Sequence, residues 1–152
     1  MSVKKEPNTL LEDLNQALAG ETLAAIRYMY LSKIATGINS PPLAKLLQEI
    51  AKEEWVHAST FMGRIIQLGG VPVFRPAELE KRSFQPYSEP PRRGNDLRAL
   101  IKDGLKLERA SIEFFQKLAL KTRDSDLITY KMAMDVMAEE AGDEQRLAAL
   151  LD

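Results

Sequence analysis

The chain contains no cysteine. Disulfides, thiolate metal sites and thiol nucleophiles are therefore excluded together, and the redox compartment is left unmarked. Histidine is almost as scarce, with one in 152 residues. Any metal ion held by this chain must then rely mainly on carboxylate oxygen. Neither sign of charge dominates, since 21 lysines and arginines stand against 22 aspartates and glutamates. That balance gives no bulk electrostatic case for nucleic acid or an anionic membrane, and Lys4 and Lys5 are too few to alter it. No stretch approaches the roughly 18 apolar residues of a membrane span, and the N-terminus lacks the hydrophobic core of a signal peptide. A cytoplasmic protein is expected, with no membrane partner and no nucleic acid. The length suits one domain with a substantial core.

What the chain has in abundance is apolar periodicity at helical spacing. Asn8 or Thr9 caps a first helix whose apolar positions recur from Leu10 to Ala35, with Gly37 ending it. Ser40-Pro41-Pro42 opens a second, with serine as N-cap and proline tolerated in the first turn. Gly69-Gly70-Val71-Pro72 stops it. So short a connection makes these two helices antiparallel neighbours. From Val71 to Gly94 the period is lost, with prolines at 72, 76, 86, 90 and 91 and only Ala77 to Arg82 suited to a turn of helix. About 24 residues at up to roughly 3.3 Å each can run the length of a helix of some 40 Å. A crossover is therefore expected, leaving helices two and three parallel. Asn95-Asp96 caps the third helix, which runs to about Thr122, and Asp124-Ser125-Asp126 opens the fourth, which continues to the C-terminus. The expected organisation is an all-α four-helix bundle over residues 8–152 with a crossover at 71–94, preceded by a flexible tail at 1–7.

Each seam of this bundle carries an acid. Glu21 interrupts the stripe Leu14, Leu18, Ala25, Tyr28. Glu54 and His57 lie among Leu47, Ile50, Phe61, Ile65 and Leu68. Glu108 interrupts Leu97, Ile101, Phe115, Leu118, and Glu140 with Asp143 interrupts Ala133, Val136, Leu147, Leu150. Residues three apart share a helix face, so Glu54 with His57, and Glu140 with Asp143, can each reach one ion. Burying an unpaired carboxylate is costly, and four helices repeating that cost point to a shared polar centre. Depth agrees. Glu21, Glu54 and Glu108 each lie thirteen residues beyond the expected helix starts at 8, 41 and 95, and Glu140 lies fifteen beyond 125. The spacing from Glu21 to Glu54 is 33 and from Glu108 to Glu140 is 32, as for two helix hairpins related by a pseudo-two-fold axis.

Glutamates from two helices with Glu-x-x-His pairs from two others form the dinuclear carboxylate site of four-helix bundles. Carboxylate oxygen with imidazole suits iron or manganese, and zinc occupies such a site without redox chemistry. Plainer readings stand beside this one. His57 can be a core imidazole bonded to a carboxylate, and Asp143 a solvated or arginine-paired acid. Tyr28 is either a hydrogen-bonding or redox partner of the centre or a packed tyrosine with its hydroxyl satisfied. Met132, Met134 and Met137 read as flexible core filler, and Lys81-Arg82 and Arg92-Arg93 as solvated loop charges.

These motifs resemble the bacterioferritin and rubrerythrin branch of the ferritin-like superfamily. The likeness spans nearly the whole chain and rests on Glu21 with Tyr28 two turns on, Glu54-x-x-His57 followed by Arg64 and Leu68-Gly69-Gly70-x-Pro72, Glu108, and Glu140-x-x-Asp143. It implies a ferritin-like fold with two iron ions in one subunit, oxidising Fe(II) with dioxygen or peroxide. By the same likeness Glu54 and Glu140 bridge the metals, with Tyr28 beside them in the catalytic centre, while Glu21, His57, Glu108 and Asp143 are terminal ligands. Aspartate at 143 departs from the histidine expected there. Five carboxylates then face the four positive charges of two divalent ions, and the metal at Glu108, Glu140 and Asp143 is expected to bind less tightly or with an extra water. Trp55 stands where haem-binding members carry methionine and has no ligating atom, so no haem is expected. No fifth helix is expected after Leu151-Asp152, which speaks against a large storage shell.

Three functions remain open on this reading. One is the Fe(II) or peroxide oxidase, one is a di-metal oxidoreductase acting on an organic substrate, and one is a non-catalytic helical protein with an empty or structural site. A homo-oligomer, either a dimer or a small cage, is expected, with Tyr30, Leu31 and Trp55 as candidates for a two-fold face.

Overall fold

Helix begins where the capping chemistry allows it. In a computed structural model that describes residues 8–152, Thr9 and Glu12 form a reciprocal capping box, with Glu12 N donating to Thr9 Oγ1 at 3.2 Å and Thr9 N to Glu12 Oε2 at 3.1 Å. They open α1, Leu10–Ile34. The expected tail, residues 1–7, lies outside the described residues. Gly37, at φ 105°, makes a turn that side-chain-bearing residues resist, and α2 follows as Ser40–Gln67. Its N-cap is Asn39, not Ser40 as the sequence suggested. Ser40 already has helical geometry, and its hydroxyl donates backwards to the Gly37 carbonyl at 2.7 Å. At the far end Gly69, φ 78°, reverses the chain, and Gly70 N donates to the Ile65 carbonyl at 2.9 Å. A short α3, Pro76–Arg82, occupies the middle of the crossover. Asp96 and Asp126 accept from the third residue beyond them, Ala99 and Thr129, to open α4, Leu97–Thr122, and α5, Leu127–Ala149.

Two ties fix the direction of the second hairpin against the first. Thr36 N donates to the Gly94 carbonyl at 2.9 Å, joining the end of α1 to the approach to α4. Lys121 near the end of α4 contacts the Asn8 carbonyl and, at 2.5 Å, Asp13 Oδ2 at the start of α1. α1 and α4 are therefore antiparallel, and α2 and α4 parallel, as the crossover length required. The fold is the expected four-helix bundle with one long connection. Asn15 pins the start of that connection, accepting from Val73 N at 2.7 Å and donating to the Val71 carbonyl at 3.3 Å. Near its end Arg27 donates to the Ser88 carbonyl at 2.5 Å while its fork grips Asp103 with two bonds of 2.7 Å.

The buried apolar residues fall into two groups. One, at the end where α1 begins, includes Leu14, Leu18, Phe61, Ile65, Phe115, Leu118 and Val136. The other, at the opposite end, includes Leu31, Leu47, Ile50, Leu100, Ile101 and Leu147. The first is strongly aromatic. Phe61 stacks on Phe115 at 5.3 Å, and Phe84 from the crossover stacks on Phe114 at 4.5 Å. Gly20 makes room for that ring, because a Cβ there would meet Phe84 at 2.1 Å.

Several expectations on individual side chains are corrected. Leu31 is fully buried rather than on an outer face, because it continues the inward stripe one turn beyond Tyr28. Leu68 and Leu150 are C-cap residues and are exposed, since each stripe ends with its helix. Met134 is exposed beside the inward Ala133, whereas Met132 and Met137 pack on the core as expected. Among the described residues no helix is long and apolar enough to cross a membrane.

Candidate metal centre

Between the two apolar groups lies a layer of acid. Glu21 from α1, Glu54 and His57 from α2, Glu108 from α4, and Glu140 and Asp143 from α5 are all buried, the carboxylates to 2% exposure or less. Their donor atoms gather into two sets. Glu21, Glu54, His57 and Glu140 each offer an atom within 4.8 Å of the others, and so do Glu54, Glu108, Glu140 and Asp143. Glu54 and Glu140 belong to both. The pseudo-two-fold relation in the sequence thus reappears in space, with Glu21 matching Glu108, Glu54 matching Glu140, and His57 matching Asp143.

His57 Nδ1 faces inward, 3.0 Å from Glu21 Oε2, 3.1 Å from Glu140 Oε1 and 3.7 Å from Glu54 Oε1. Its Nε2 faces outward, 2.6 Å from Oε2 of Glu139, a residue more than half exposed. The tautomer with hydrogen on Nε2 leaves Nδ1 free to ligate, the carboxylate–histidine–metal arrangement of many metal sites. Tyr28, fully buried, places its hydroxyl 2.5 Å from Glu108 Oε1 and 2.9 Å from the Gly104 carbonyl. Asp143 has one oxygen, Oδ1, 2.5 Å from the Arg146 guanidinium. The reading of Asp143 as an arginine-paired acid therefore holds for one oxygen only.

Six buried oxygens find no hydrogen-bond partner among the described residues: Glu21 Oε1, Glu54 Oε1, Glu108 Oε2, both oxygens of Glu140, and Asp143 Oδ2. All six sit on the residues of the two donor sets. Buried polar atoms are ordinarily satisfied, so a cluster of orphans this tight calls for a cation. Protonation answers the same demand in a metal-free chain. Burial, with the facing Glu140, pushes Glu21 up to about 7. Burial and Glu54 push Glu140 up to about 7. Burial again, with Glu21 and Glu108, raises Glu54 well above the carboxylate range, and burial with Glu140 raises Glu108. Burial alone pushes His57 down, but the facing carboxylates of Glu140, Glu21 and Glu54 outweigh that and push it up. Two divalent ions remove the repulsion that these shifts express. The donor set fits them: carboxylate with a single imidazole suits iron or manganese and admits zinc.

Every residue that the sequence singled out as a ligand therefore lies in this layer, with Tyr28 bonded to its edge. Trp55 does not. It is 62% exposed on the outer side of α2. Sequence reasoning missed the neighbours that hold the ligands. Glu139 and Arg146 had no part in the sequence reading, although Arg146 stands at the i+3 spacing that pairs it with Asp143. Arg64, quoted only as part of a motif, is buried and joins Thr129 at 3.1 Å and Asp126 at 2.9 Å, bracing the start of α5.

A four-helix bundle with one crossover and a double carboxylate cluster at mid-height defines a ferritin-like helical protein. The family model for the ferritin-like domain matches residues 11–152, and the chain belongs to that family. Among solved structures it resembles a dodecameric thioferritin, the bacterioferritin-related protein from Bacteroides fragilis. The two are 32% identical over 93% of this chain and 83% of that one, with a TM-score of 0.88. It shares its fold with the ferritin-like, diiron-carboxylate proteins from Bacillus anthracis str. Ames, at 24% identity over 94% of this chain and 95% of that one, TM-score 0.79. The same holds for Dps from Thermosynechococcus elongatus, at 19% identity over 94% and 90%, TM-score 0.85. No curated protein sequence matches this chain.

Proposed function

We propose that the protein holds two iron ions within each chain and oxidises Fe(II) with dioxygen or peroxide. The observation that carries this reading is the pair of donor sets joined through Glu54 and Glu140, on which all six orphaned oxygens lie. Glu54 and Glu140, common to both donor sets, would be shared by the two ions, with Glu21 and His57 serving one and Glu108 and Asp143 the other. When bound, the metal pair supplies the redox chemistry, passing electrons from ferrous iron to the oxidant.

The protein's own residues do the rest. The carboxylates would replace water around a bound ion. Tyr28 holds Glu108 by its hydroxyl, and Glu139 holds the outer nitrogen of His57, so both ligands keep their orientation. The apolar groups above and below exclude bulk water from the layer. Aerobic addition of Fe(II) to the metal-free protein should give rapid oxidation that Glu54→Ala abolishes. Oxidation at an unchanged rate in that variant overturns the reading.

Assembly from two-fold pairs into a small cage is part of the proposal. The Bacteroides fragilis relative is described as dodecameric. Here Ile26, Met29, Trp55 and Val56 form an exposed apolar face on α1 and α2, around a hollow of about 500 Å³, while Tyr30 lines a separate hollow beside the crossover. A face of this kind suits a second copy of the chain.

A second reading draws on a separate hollow. A mostly apolar cavity of about 310 Å³ lies between α1 and the crossover, walled in part by Gly20, Ala24 and Leu107. These residues adjoin Glu21 and Glu108 along the chain, and an organic substrate oxidised at the same metals would occupy this space. Turnover of a small apolar substrate in the absence of excess iron would favour it.

A further inference from the structure

The second metal position has one acid more than its twin. Where the first offers Glu21, Glu54, Glu140 and the neutral imidazole of His57, the second offers Glu54, Glu108, Glu140 and Asp143, all carboxylates. Five carboxylates around two divalent ions leave one negative charge over, and a buried excess charge is expensive unless something pairs with it. Among the described residues, one cationic group pairs with Asp143. Arg146, one turn beyond Asp143 on α5, donates to Asp143 Oδ1 at 2.5 Å, while Oδ2 of the same carboxylate is buried without a partner. The guanidinium spans from there to α2, 3.2 Å from Glu49 and 3.3 Å from Glu53. It therefore approaches Asp143 from outside, on the oxygen that the metal does not need.

We propose that Arg146 is the positioning residue of the second metal position: it neutralises the fifth carboxylate and turns Asp143 so that Oδ2 alone points at the ion. The inference rests on the metal-binding reading above. Its content is specific to this chain, because the requirement arises from aspartate at 143. An imidazole there, like His57 in the first set, would bring no charge and need no arginine. Glu49 and Glu53 also hold the guanidinium, and Glu53 itself faces Asp143; burial, together with that neighbour, pushes the Glu53 carboxyl up to about 7. Glu49 is well exposed and worth little as an ion pair, so the contact that matters is the one to the nearly buried Asp143. Replacing such an outer partner of a ligand typically weakens metal binding by about 10- to 100-fold.

The test uses the full-length assembled protein and Co(II), a redox-inert probe whose visible spectrum reports coordination, titrated by calorimetry and absorbance. Wild type is expected to take up two ions per chain. Arg146→Gln should weaken the second ion by about 10- to 100-fold and leave the first within about twofold, with helical circular dichroism unchanged. Arg146→Lys, which keeps the charge and loses the planar fork, should fall between. Glu49→Gln should leave both ions as in wild type. In an Asp143→Asn background, where the fifth charge is gone, Arg146→Gln should have little further effect, a coupling that a merely structural arginine would not produce. Two ions bound equally well by wild type and Arg146→Gln overturn the role of Arg146 and leave the metal site standing. So does an Arg146→Gln loss that persists undiminished with Asp143→Asn, or one matched by Glu49→Gln. Fewer than two ions in wild type overturn both.

Discussion

The Tyr28 hydroxyl sits between Glu108 Oε1, at 2.5 Å, and the Gly104 carbonyl, at 2.9 Å, with one proton to give. The hydroxyl faces Glu108 as donor, while burial and Glu140 raise that acid well above the carboxylate range; a protonated Glu108 would instead donate to Tyr28, whose own proton then goes to Gly104. Once Glu108 ligates a cation and is ionised, the tyrosine turns its proton to the carboxylate. The hydroxyl thus serves both states. Tyr28→Phe removes that adaptability, leaving Glu108 Oε1 without its partner and the Gly104 carbonyl without the hydroxyl. A loss of about 1–2 kcal/mol of metal-free stability is expected, with weaker uptake of the ion on the Glu108 side. Chemical denaturation and a Co(II) titration measure the two effects separately. An unchanged variant in both would assign Tyr28 to packing alone.

Stability without metal should fall as pH rises. Glu21 and Glu140 are pushed up from 4.5 to about 7, so between those values the folded chain holds protons that the unfolded chain has released. Protons bound preferentially by the folded state make its stability decline with increasing pH. His57, raised above its ordinary 6.5, carries the same sign above that pH. Each pKa unit corresponds to about 1.4 kcal/mol, so each of the two groups contributes a decline on the order of 3 kcal/mol across the window. Saturating Zn(II) should reverse the slope, since its binding releases those protons. Melting temperatures from pH 4.5 to 8, with and without zinc, test this, and a metal-free melting temperature that climbs across the window would contradict it.

Asn15 is the side chain on which the start of the crossover depends. It is buried, and its amide satisfies Val73 N and the Val71 carbonyl at once. Asn15→Leu keeps the volume and strands both backbone groups, at an expected cost of about 2–4 kcal/mol. For a chain of this size that lowers Tm by roughly 5–10 °C. Metal stoichiometry should be retained, because none of the donor residues contacts Asn15. Differential scanning calorimetry with a parallel metal titration distinguishes this local effect from damage to the centre.

The apolar face of α1 and α2 should be closed by a second copy. Ile26 and Val56 are both exposed on it, and a carboxylate at either position cannot be desolvated against a partner without a counter-charge. Ile26→Glu combined with Val56→Glu should reduce the particle to the 17.1 kDa chain in sedimentation velocity, with helicity intact. An assembly of unchanged mass would place the contact elsewhere.

The helices and the centre were readable because both announce themselves by period. An acid in an apolar seam is conspicuous, and four of them at matched depth specify a level in the bundle before any coordinates exist. Glu21, Glu54, His57, Glu108, Glu140 and Asp143 were found in this way. The α3 turn and the parallel run of α2 and α4 followed from proline spacing and chain length. What periodicity cannot deliver is the identity of a partner across helices. Asn15 looks like any polar residue in a first turn, yet its role is set by Val71 and Val73, more than fifty residues away. Arg27 finds Asp103, and Glu139 finds His57, by the same kind of non-local packing. Boundaries failed for a related reason. Leu68 and Leu150 fit their stripes by spacing, but a stripe says nothing of where the helix beneath it stops.

Hydrocarbon grips the four long helices at both ends, and the buried carboxylates gather at the waist. Emptying the centre therefore leaves those acids to be satisfied by protons alone, at the point farthest from either clamp, where the rods can bow apart slightly while their tips stay fastened. Amide exchange around the acid layer should quicken on chelation while the aromatic end near Phe61 and Phe115 stays protected. Any loss of metal from the centre and loss of shape are thus separate events for this chain, and an emptied molecule keeps the outline that its apolar ends impose.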